Sequence, residues 1–448
     1  MATPWEAVAL EAASQVRLEE PRKAGRAAIL AVGLNHKVAP VEVRERLAVS
    51  AGHLREALAQ VRALPGVEEA AILSTCNRLE LYAAVSEEGA CREVFSFLAR
   101  RARVPLEELQ PYLYTYWGAD CARHLCRVAA GLDSLLVGEY QIQGQVKEAL
   151  QAAAEAGTTG AYLTALFQHA LRAGKEVRTR TEIGLGEKSL ADVVVWVAEE
   201  HLADLSHRRA LVIGAGKMGR LAARTLARSG FHWLFIANRT FDKAQALAAE
   251  VGGDAVHFDA LPQALAQADL VVASTGAPHI VLHPEQVREA LEGRGGTPLV
   301  VLDLAVPRNV DPAVGDLPGV VLYDMDDLVA VVARRHPVGA RAVAEAEAIV
   351  EEVVAAYCSW QEERAMASLV RALRAQADAI REAELEKALS RLGHLSERDR
   401  EVVRALAKGL VNKLLHMPTV RLKACGGREA LALADALAYL FGLEGWGL

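Results

Sequence analysis

Residues 210–228 read ALVIGAGKMGRLAARTLAR, an apolar run followed by three closely spaced glycines and then a helical pattern. Gly214, Gly216 and Gly219 have GxGxxG spacing between a predicted strand and a predicted helix, the context in which this motif is informative. The first glycine permits a tight turn, the second lets the backbone approach a pyrophosphate, and the third lets the helix pack on the strand. The loop, which also contains Ala215, Lys217 and Met218, predicts a dinucleotide site. The alternative is that the glycines only shape a βα turn.

The next predicted strand, at 233–237, runs directly into Asn238, Arg239 and Thr240. An NAD site usually has Asp or Glu at this place, where the carboxylate accepts a hydrogen bond from the ribose 2′-hydroxyl. Donors and a positive charge suit a 2′-phosphate instead, so the sequence favours NADPH. The alternative is that Arg239 is only a solvated turn residue.

The composition excludes several classes of protein. Lys and Arg number 50 against 57 Asp and Glu, so the net charge of −7 argues against a globally basic nucleic-acid coat protein. No apolar stretch approaches the roughly 18 to 20 residues of a membrane-spanning helix, and the N-terminus lacks the pattern of a secretory signal. The six cysteines form no CxxC pair, which argues against a zinc knuckle or a disulfide framework. We expect a cytoplasmic protein with no membrane association.

The chain of 448 residues is long enough for about three domains. Apolar runs at 27–34, 70–75 and 79–85 predict an α/β unit with both faces of its sheet covered, and those from 210 to 324 predict a parallel, doubly wound sheet. We therefore expect an α/β multidomain protein in four parts. These are an N-terminal extension (1–26), an α/β catalytic domain (27–188), a nucleotide-binding Rossmann domain (189–336) and a helical dimerisation domain joined by a long helix (337–448).

Residues 340–392 contain neither Gly nor Pro, and apolar residues recur there every three or four positions. An unbroken helix of this length would extend roughly 80 Å and could not bury its own apolar stripe. We expect later helices or a second copy of the chain to cover it. A solvated strut between domains is the alternative.

Cys76 lies in the segment STCNR at 74–78, between two predicted strands. The guanidinium of Arg78 is predicted to lower the pKa of the thiol and so to raise the fraction of thiolate that attacks a carbonyl. Reduction of a carboxylic ester by hydride is easier through a protein thioester, so a thiol and a dinucleotide site fit together in one chain. The alternative is that Cys76 is a small buried hydrophobe.

Residues 131–145 read GLDSLLVGEYQIQGQ and combine uncharged amides with a serine and an acid, which suits a site for a polar substrate. Ordinary helix capping with solvated glutamines is the alternative. Cys121, His124 and Cys126 lie at offsets that do not converge on one ion, so we expect no metal site.

These segments together resemble the glutamyl-tRNA reductase family. The resemblance spans about residues 29 to 335, and the helical C-terminal part is similar to the family's dimerisation domain. Its most specific motifs are STCNR and the GLDS…GE.QI.GQVK segment, although Tyr140 stands where the family usually has Pro. The matching stretches are GLNHKVAPVEVRERL (33–47), LSTCNRLELY (73–82), HLCRVAAGLDSLLVGEYQIQGQVK (124–147), VIGAGKMG (212–219), ANRT (237–240), DLAVPRNVDP (303–312) and YDMDDL (323–328).

The resemblance implies an activity and a set of site residues. Cys76 would attack the aminoacyl ester of glutamyl-tRNA, and NADPH would reduce the resulting thioester to glutamate-1-semialdehyde, the first step of 5-aminolevulinate and tetrapyrrole synthesis. His124 would act as an acid, a base or a positioning group, and Arg78 would hold the γ-carboxylate of the substrate. The family also implies a homodimer and an aminomutase partner. The positions matching the family's substrate contacts are Thr75, Asn77, Arg78, Ser134, Glu139, Tyr140, Gln141 and Gln145.

Two other functions stay open from the residues. A shikimate-dehydrogenase-like NADP oxidoreductase would share the nucleotide-binding half and need no thiol. A non-catalytic dimer that senses NADP(H) would use the long helix as its working part. Two basic clusters are candidates for a local tRNA contact despite the acidic net charge. They are Arg172, Lys175, Arg178 and Arg180, and Arg421, Lys423 and Arg428.

Overall fold

The structure is a computed structural model. It describes residues 28–86, 89–184, 189–292, 294, 297–335, 339–424 and 427–443. The N-terminal extension expected at 1–26 lies outside the described residues.

The first unit is an antiparallel sheet of four strands in the order β2-β3-β1-β4, surrounded by helices. All eight residues of β3 are buried, as are seven of the eight in β1, so both faces of the sheet are covered as expected. The elements are β1 (Ala28–Asn35), α1 (Val41–Leu47), α2 (Ala51–Arg62), β2 (Val67–Ser74), β3 (Arg78–Val85), α3 (Ala90–Ala102), α4 (Leu106–Leu109), β4 (Tyr114–Trp117), α5 (Gly118–Ala129), α6 (Gln141–Glu155) and α7 (Ala161–Arg180).

The second unit is a six-stranded, wholly parallel sheet in the order β10-β9-β8-β5-β6-β7. Its strands are short and apolar, and two separate core clusters cover its two faces, which is the doubly wound arrangement predicted from the sequence. The elements are α8 (Leu190–His201), β5 (Arg209–Ile213), α9 (Lys217–Arg228), β6 (Trp233–Ala237), α10 (Phe241–Val251), β7 (Asp254–Val256), α11 (Leu261–Gln267), β8 (Leu270–Ala273), α12 (Pro284–Leu291), β9 (Leu299–Asp303), β10 (Val320–Tyr323) and α13 (Met325–Arg335).

The third unit is helical and begins with a single helix of 52 residues, α14 (Ala340–Arg391), which confirms the helix predicted from the Gly- and Pro-free stretch. Its first half does not need a second chain, because Ala346, Val350, Val353 and Tyr357 belong to the core of the first unit. Its second half packs on the helices α15 (Glu397–Ala424) and α16 (Gly427–Phe441), which fold back along it.

One face of α15 exposes a line of large apolar side chains spaced three or four residues apart. Such a stripe at helical spacing is typical of an interface with another helix. Its members are Val402, Leu406, Leu410, Leu414, Met417 and Val420. Within the described part of the chain, no helix combines the length and the apolar character that crossing a membrane requires.

Candidate active site

Cys76 lies in the short turn that joins β2 to β3. Thr75 fixes this turn, because its Oγ1 accepts hydrogen bonds from the backbone N–H groups of Asn77 and Arg78 at 3.1 and 3.2 Å. The backbone N–H of Thr75 donates to the carbonyl of Arg78 at 2.9 Å, and that of His36 donates to the carbonyl of Asn77 at 2.9 Å. The thiol is therefore held on a hydrogen-bonded turn at the end of a buried sheet.

The thiol is not activated in this conformation. Burial and the nearby carboxyl of Glu139 raise the pKa of Cys76 to about 11, and the guanidinium groups of Arg44 and Arg78 lower it only in part. Arg78 does lower the pKa of the thiol, as predicted, but the predicted rise in the thiolate fraction is wrong here, because desolvation of the thiolate outweighs this attraction.

A fully buried carboxylate, Glu80, organises the polar core behind the turn. Its Oε1 contacts Arg78 Nη1 at 2.7 Å, His124 Nε2 at 2.8 Å and the hydroxyl of Tyr114 at 2.5 Å, and its Oε2 accepts from the hydroxyl of Tyr82 at 2.6 Å. Burial by itself would raise the pKa of Glu80, but the charges of Arg78 and His124 hold it well below its usual range. The carboxylate stays ionised because every side of it is occupied by a donor or a positive charge.

This network fixes two of the predicted site residues. His124 stacks on Tyr116 with ring centroids 4.5 Å apart, and its Nε2 is engaged by Glu80. Arg78 is buried, with one terminal nitrogen on Glu80 and the other donating to the carbonyl of Asp133 at 2.7 Å. A substrate carboxylate at Arg78 would thus share the guanidinium with these two acceptors.

The sequence reasoning missed Glu80 and Asp133. Asp133 binds Lys37 at 2.7 Å and Arg127 at 3.1 Å, so it joins two stretches that are far apart in sequence. A signal for Glu80 was present: it follows Arg78 by two residues in a strand, which places both side chains on the same face of the sheet. A carboxylate and a guanidinium on one face of an apolar strand predict a buried ion pair.

His36 was also missed, although it lies in the segment GLNHKVAP. Its Nδ1 and the Oδ1 of Asn77 are buried side-chain atoms that find no hydrogen-bond partner among the described residues. Burial and the neighbouring positive charges lower the pKa of His36 to about 3, so its ring is neutral at physiological pH. One unsatisfied polar atom thus belongs to the residue after Cys76 and the other to a residue hydrogen-bonded to that turn, and buried atoms of this kind call for an explanation.

The amide-rich segment contacts the turn through the carbonyl of Asp133, which accepts from Arg78, and it continues into the start of α6. Ser134 is buried, whereas Tyr140 is 45% exposed and immediately precedes the helix. Gln141 and Gln145 are one helical turn apart on one face of α6, both partly buried. Burial raises the pKa of Glu139 to about 7, so this carboxyl exchanges its proton near neutral pH beside Cys76.

The glycine loop has the geometry that its spacing predicts. Gly214 has a φ of +112°, and an added Cβ would lie 2.1 Å from the carbonyl oxygen of Ser274. An added Cβ at Gly219 would lie 1.9 Å from the carbonyl oxygen of Gly214, which shows how closely α9 packs on β5. A Cβ at Gly216, by contrast, would point into open space at the N-terminus of α9. Steric need thus explains Gly214 and Gly219, and space for an approaching anion suits Gly216.

The end of β6 is tied to this loop by Asn238. Its Oδ1 accepts from the backbone N–H of Ala215 at 3.2 Å, and its Nδ2 donates to the carbonyl of Thr240 at 2.8 Å. Arg239 and Thr240 are exposed at the same edge. The arrangement leaves a guanidinium, and no carboxylate, at the position where the ribose of a dinucleotide is read.

The two remaining residues of the loop point in different directions. Met218 packs against the core of the second unit. Lys217 is exposed and pairs with Glu148 of α6, at an Nζ–Oε1 distance of 2.5 Å. The nucleotide loop therefore touches the same helix that carries Gln141 and Gln145.

Three family models match successive parts of the chain. The N-terminal domain of glutamyl-tRNAGlu reductase matches residues 32–181, shikimate/quinate 5-dehydrogenase matches 196–331, and the dimerisation domain of glutamyl-tRNAGlu reductase matches 345–443. The order of the three matches follows the order of the three structural units.

Comparison with whole proteins gives the same result. The chain is 42% identical over 418 residues to a glutamyl-tRNA reductase of Pelotomaculum thermopropionicum, covering 93% of this chain and 94% of the relative. It is 44% identical over 398 residues to that of Moorella thermoacetica, covering 88% and 90%. The solved structure of glutamyl-tRNA reductase from Methanopyrus kandleri is similar with a TM-score of 0.53 and 32% identity, over 93% of this chain and 99% of that one. The chain belongs to the glutamyl-tRNA reductase family.

Proposed function

We propose that this protein reduces glutamyl-tRNA to glutamate-1-semialdehyde with NADPH, the first step of 5-aminolevulinate and tetrapyrrole synthesis by the C5 pathway. The observation that carries the proposal is the presence, in one chain of this family, of a cysteine held on a rigid turn and a glycine loop shaped for a pyrophosphate. A dehydrogenase of small alcohols needs only the second of these features.

Cys76 is the nucleophile of the proposed reaction. Its Sγ forms a bond to the acyl carbon of the aminoacyl ester, the bond from that carbon to the ribose oxygen breaks, and the tRNA leaves with a proton on that oxygen. Since burial raises the pKa of the thiol to about 11, a base has to accept its proton as the substrate binds. Glu139, with a pKa of about 7, is the carboxyl suited to this transfer.

The glutamyl group is bound by the turn and by the start of α6. Nδ1 of His36 and Oδ1 of Asn77 are available to it, and an acceptor such as Oδ1 suits its ammonium group. Arg78 suits its carboxylate, and His124 positions Arg78 through their shared contact with Glu80. The proposed substrate contacts are Thr75, Asn77, Arg78, Ser134, Glu139, Tyr140, Gln141 and Gln145.

The second unit holds NADPH in this proposal. Gly214, Gly216 and the N-terminus of α9 would hold the pyrophosphate, and Arg239 with Thr240 would bind the 2′-phosphate. When bound, NADPH would supply a hydride to the thioester carbon. The aldehyde forms as the bond from that carbon to Sγ of Cys76 breaks, and the thiolate that leaves takes up a proton from water to regenerate the thiol.

The assembly completes the proposal. We propose a homodimer formed through the apolar stripe of α15, because nothing in the described part of the chain covers it.

We place the enzyme in the cytoplasm, which suits its five described cysteines, all free thiols. An aminomutase is the partner that would consume the reactive aldehyde. We retain the division at 27–188, 189–336 and 337–448, which contains the ranges of the three family matches.

The basic clusters offer limited surface for the tRNA. In the first cluster, Arg172 and Arg180 pair with Glu176, and Arg180 also pairs with Glu352, so part of its charge is neutralised within the chain. In the second cluster, the side chains of Lys423 and Arg428 lie outside the described residues. Local phosphate contacts would make tRNA binding weaken with salt.

The test is a single-turnover assay with glutamyl-tRNA labelled in the amino acid. Without NADPH, label is expected to bind covalently to the wild type and to the control variant Cys358→Ser, but not to Cys76→Ser. Addition of NADPH should then convert the bound label into aldehyde.

Failure to transfer label would overturn the thioester mechanism. With intact NADPH binding and turnover of a small hydroxy acid, the result would favour a shikimate-dehydrogenase-like activity, in keeping with the match over residues 196–331. NADPH binding with no turnover of either substrate would favour the alternative that the protein is a non-catalytic dimer that senses NADP(H).

A further inference from the structure

Arg44, on α1, is a buried arginine that contacts the segment carrying the thiol. Its Nη1 donates to the carbonyl oxygen of Cys76 at 2.6 Å, and its Nε donates to the carbonyl of Ala39 at 3.2 Å. The side chain is 2% exposed, so these bonds form in a desolvated place where a charged donor is held strongly. Arg44 therefore restrains the backbone of Cys76 through the carbonyl oxygen, in addition to the hydrogen bonds that Thr75 makes in the same turn.

The remaining donor of Arg44 binds a carboxylate that belongs to the second unit. Nη2 pairs with Oδ1 of Asp326, at the start of α13, and Oδ2 of the same carboxylate accepts from the backbone N–H of Val41 at 2.8 Å. One carboxylate thus binds both the arginine and the first residue of α1. The contact joins residues 282 positions apart in sequence.

A second set of ion pairs holds the same helix against the same unit. Arg308 binds Glu45 through Nη2 at 2.9 Å and Glu42 through Nη1 at 2.8 Å. The loop of Arg308 is itself fixed, because the carboxylate of Asp303 at the end of β9 accepts from the backbone N–H groups of Asn309 and Val310 at 2.7 and 2.8 Å. Both contacts come from the carboxyl edge of the parallel sheet, where doubly wound sheets bind their ligands.

We propose that Arg44 is a positioning residue for Cys76 and that Asp326 makes its action depend on docking of the nucleotide-binding unit. With the unit docked, Asp326 orients the guanidinium and the guanidinium holds the carbonyl of Cys76. Without it, Arg44 loses its only carboxylate partner among the described contacts, and the turn loses one of its restraints. The rate at which the thiol is acylated therefore depends on a residue of the nucleotide-binding unit, although that unit supplies no reacting atom to the acylation step. This inference rests on the thioester chemistry proposed above.

The first experiment measures label transfer to Cys76 from glutamyl-tRNA in the absence of NADPH. Asp326→Asn keeps the shape of the side chain and removes its charge, and transfer is expected to slow about tenfold because the turn is misplaced. The matched control is Asp327→Asn, one residue away, whose carboxylate accepts from the backbone N–H of Asp324 and belongs to an exposed residue. NADPH affinity should be alike in the two variants, whereas the melting temperature should fall further in Asp326→Asn, because the buried Arg44 loses its carboxylate partner. Label transfer is therefore compared at a temperature at which both variants are fully folded.

A double-mutant cycle shows whether the two residues act through one link. Arg44→Lys keeps the charge but cannot reach both the carbonyl and the carboxylate. If the link exists, Arg44→Lys combined with Asp326→Asn transfers label no more slowly than the slower single variant. The proposal would be overturned if the rate reductions of the two single variants multiply in the double variant. It would also be overturned if label transfer is equally fast in Asp326→Asn and Asp327→Asn.

Alkylation of Cys76 by iodoacetamide, followed by mass spectrometry of its peptide, is independent of the reaction. Release of the turn should make alkylation several-fold faster in Asp326→Asn than in Asp327→Asn, and equal rates would overturn the proposal. If the wild type accepts no label, the proposed function fails, while the alkylation rates still decide whether Asp326 positions the thiol.

Discussion

The site beside Cys76 and the glycine loop before α9 are both proposed to hold a charged ligand, but one is made of side chains and the other of backbone. The first is made of side chains: Glu80 is surrounded by donors from residues 2, 34 and 44 positions away. The second is made of backbone, with Gly214 and Gly219 packed against carbonyl oxygens. Because the first site is made of ionisable side chains, its contacts depend on which of these groups are protonated. Because the second is made of closely packed backbone, its shape depends on whether an added side chain has room. Substitutions beside Cys76 should therefore lower stability or activity by removing a charge, and substitutions in the glycine loop should do so by creating a steric clash.

The largest effect is expected for Glu80→Gln. The amide leaves the buried Arg78 without its carboxylate, and breaking a buried ion pair in this way costs about 3–5 kcal/mol in the free energy of unfolding. Denaturant titration measures the change. Glu68→Gln is the control, because its carboxylate is 45% exposed and pairs weakly with Arg62, and it should cost less than about 1 kcal/mol.

The pH dependence of this difference checks its cause. Because the pKa of Glu80 is lowered in the folded protein, the carboxylate stabilises the fold above its unfolded pKa of about 4.3 and loses this effect as the pH falls. The wild type and Glu80→Gln should thus become more similar in stability below about pH 4. A difference that does not change with pH would mean that packing, and not charge, explains the loss.

The glycine loop gives the next effect. An alanine at Gly219 places its Cβ against the carbonyl oxygen of Gly214, a backbone atom that cannot move aside, so Gly219→Ala should lower stability by about 1–3 kcal/mol. Gly216→Ala meets no atom within 4 Å and should cost less than about 1 kcal/mol. Its added methyl group does block the approach of a pyrophosphate, so NADPH affinity should fall about tenfold. Unchanged affinity in Gly216→Ala would place the pyrophosphate elsewhere.

The two regions also differ in how far the sequence predicted them. The glycine loop was predicted in detail because its determinants lie within eight residues, and local spacing fixes local backbone. The 52-residue α14 was predicted because Gly and Pro are absent, but the covering of its first half by the first unit depends on tertiary packing that periodicity does not encode. Glu80 and Asp326 were not singled out as site residues, since their partners come from distant segments.

Cys76 shows most clearly that properties set by tertiary packing cannot be predicted from neighbours in the sequence. The sequence placed a guanidinium two residues away and predicted a thiolate, because proximity in sequence suggested proximity of charge. The structure uses that guanidinium for Glu80 and Asp133, and it places the half-buried thiol near the carboxyl of Glu139. The sign of a pKa shift depends on desolvation, and desolvation is a property of the folded surroundings.

The sharpest test of this contrast is the reactivity of the Cys76 thiol in the free enzyme. With a pKa of about 11, its thiolate fraction near pH 7.5 is several hundredfold below that of a free cysteine, and the greater nucleophilicity of a basic thiolate recovers part of this loss. Alkylation by iodoacetamide should be about twentyfold slower than for glutathione. Between pH 7 and 9.5 the rate should rise about tenfold per pH unit, because deprotonation is incomplete throughout that range. A rate that levels off above pH 7 would mean that Arg78 prevails over burial, as the sequence alone suggested, and that the thiol is already activated before substrate binds.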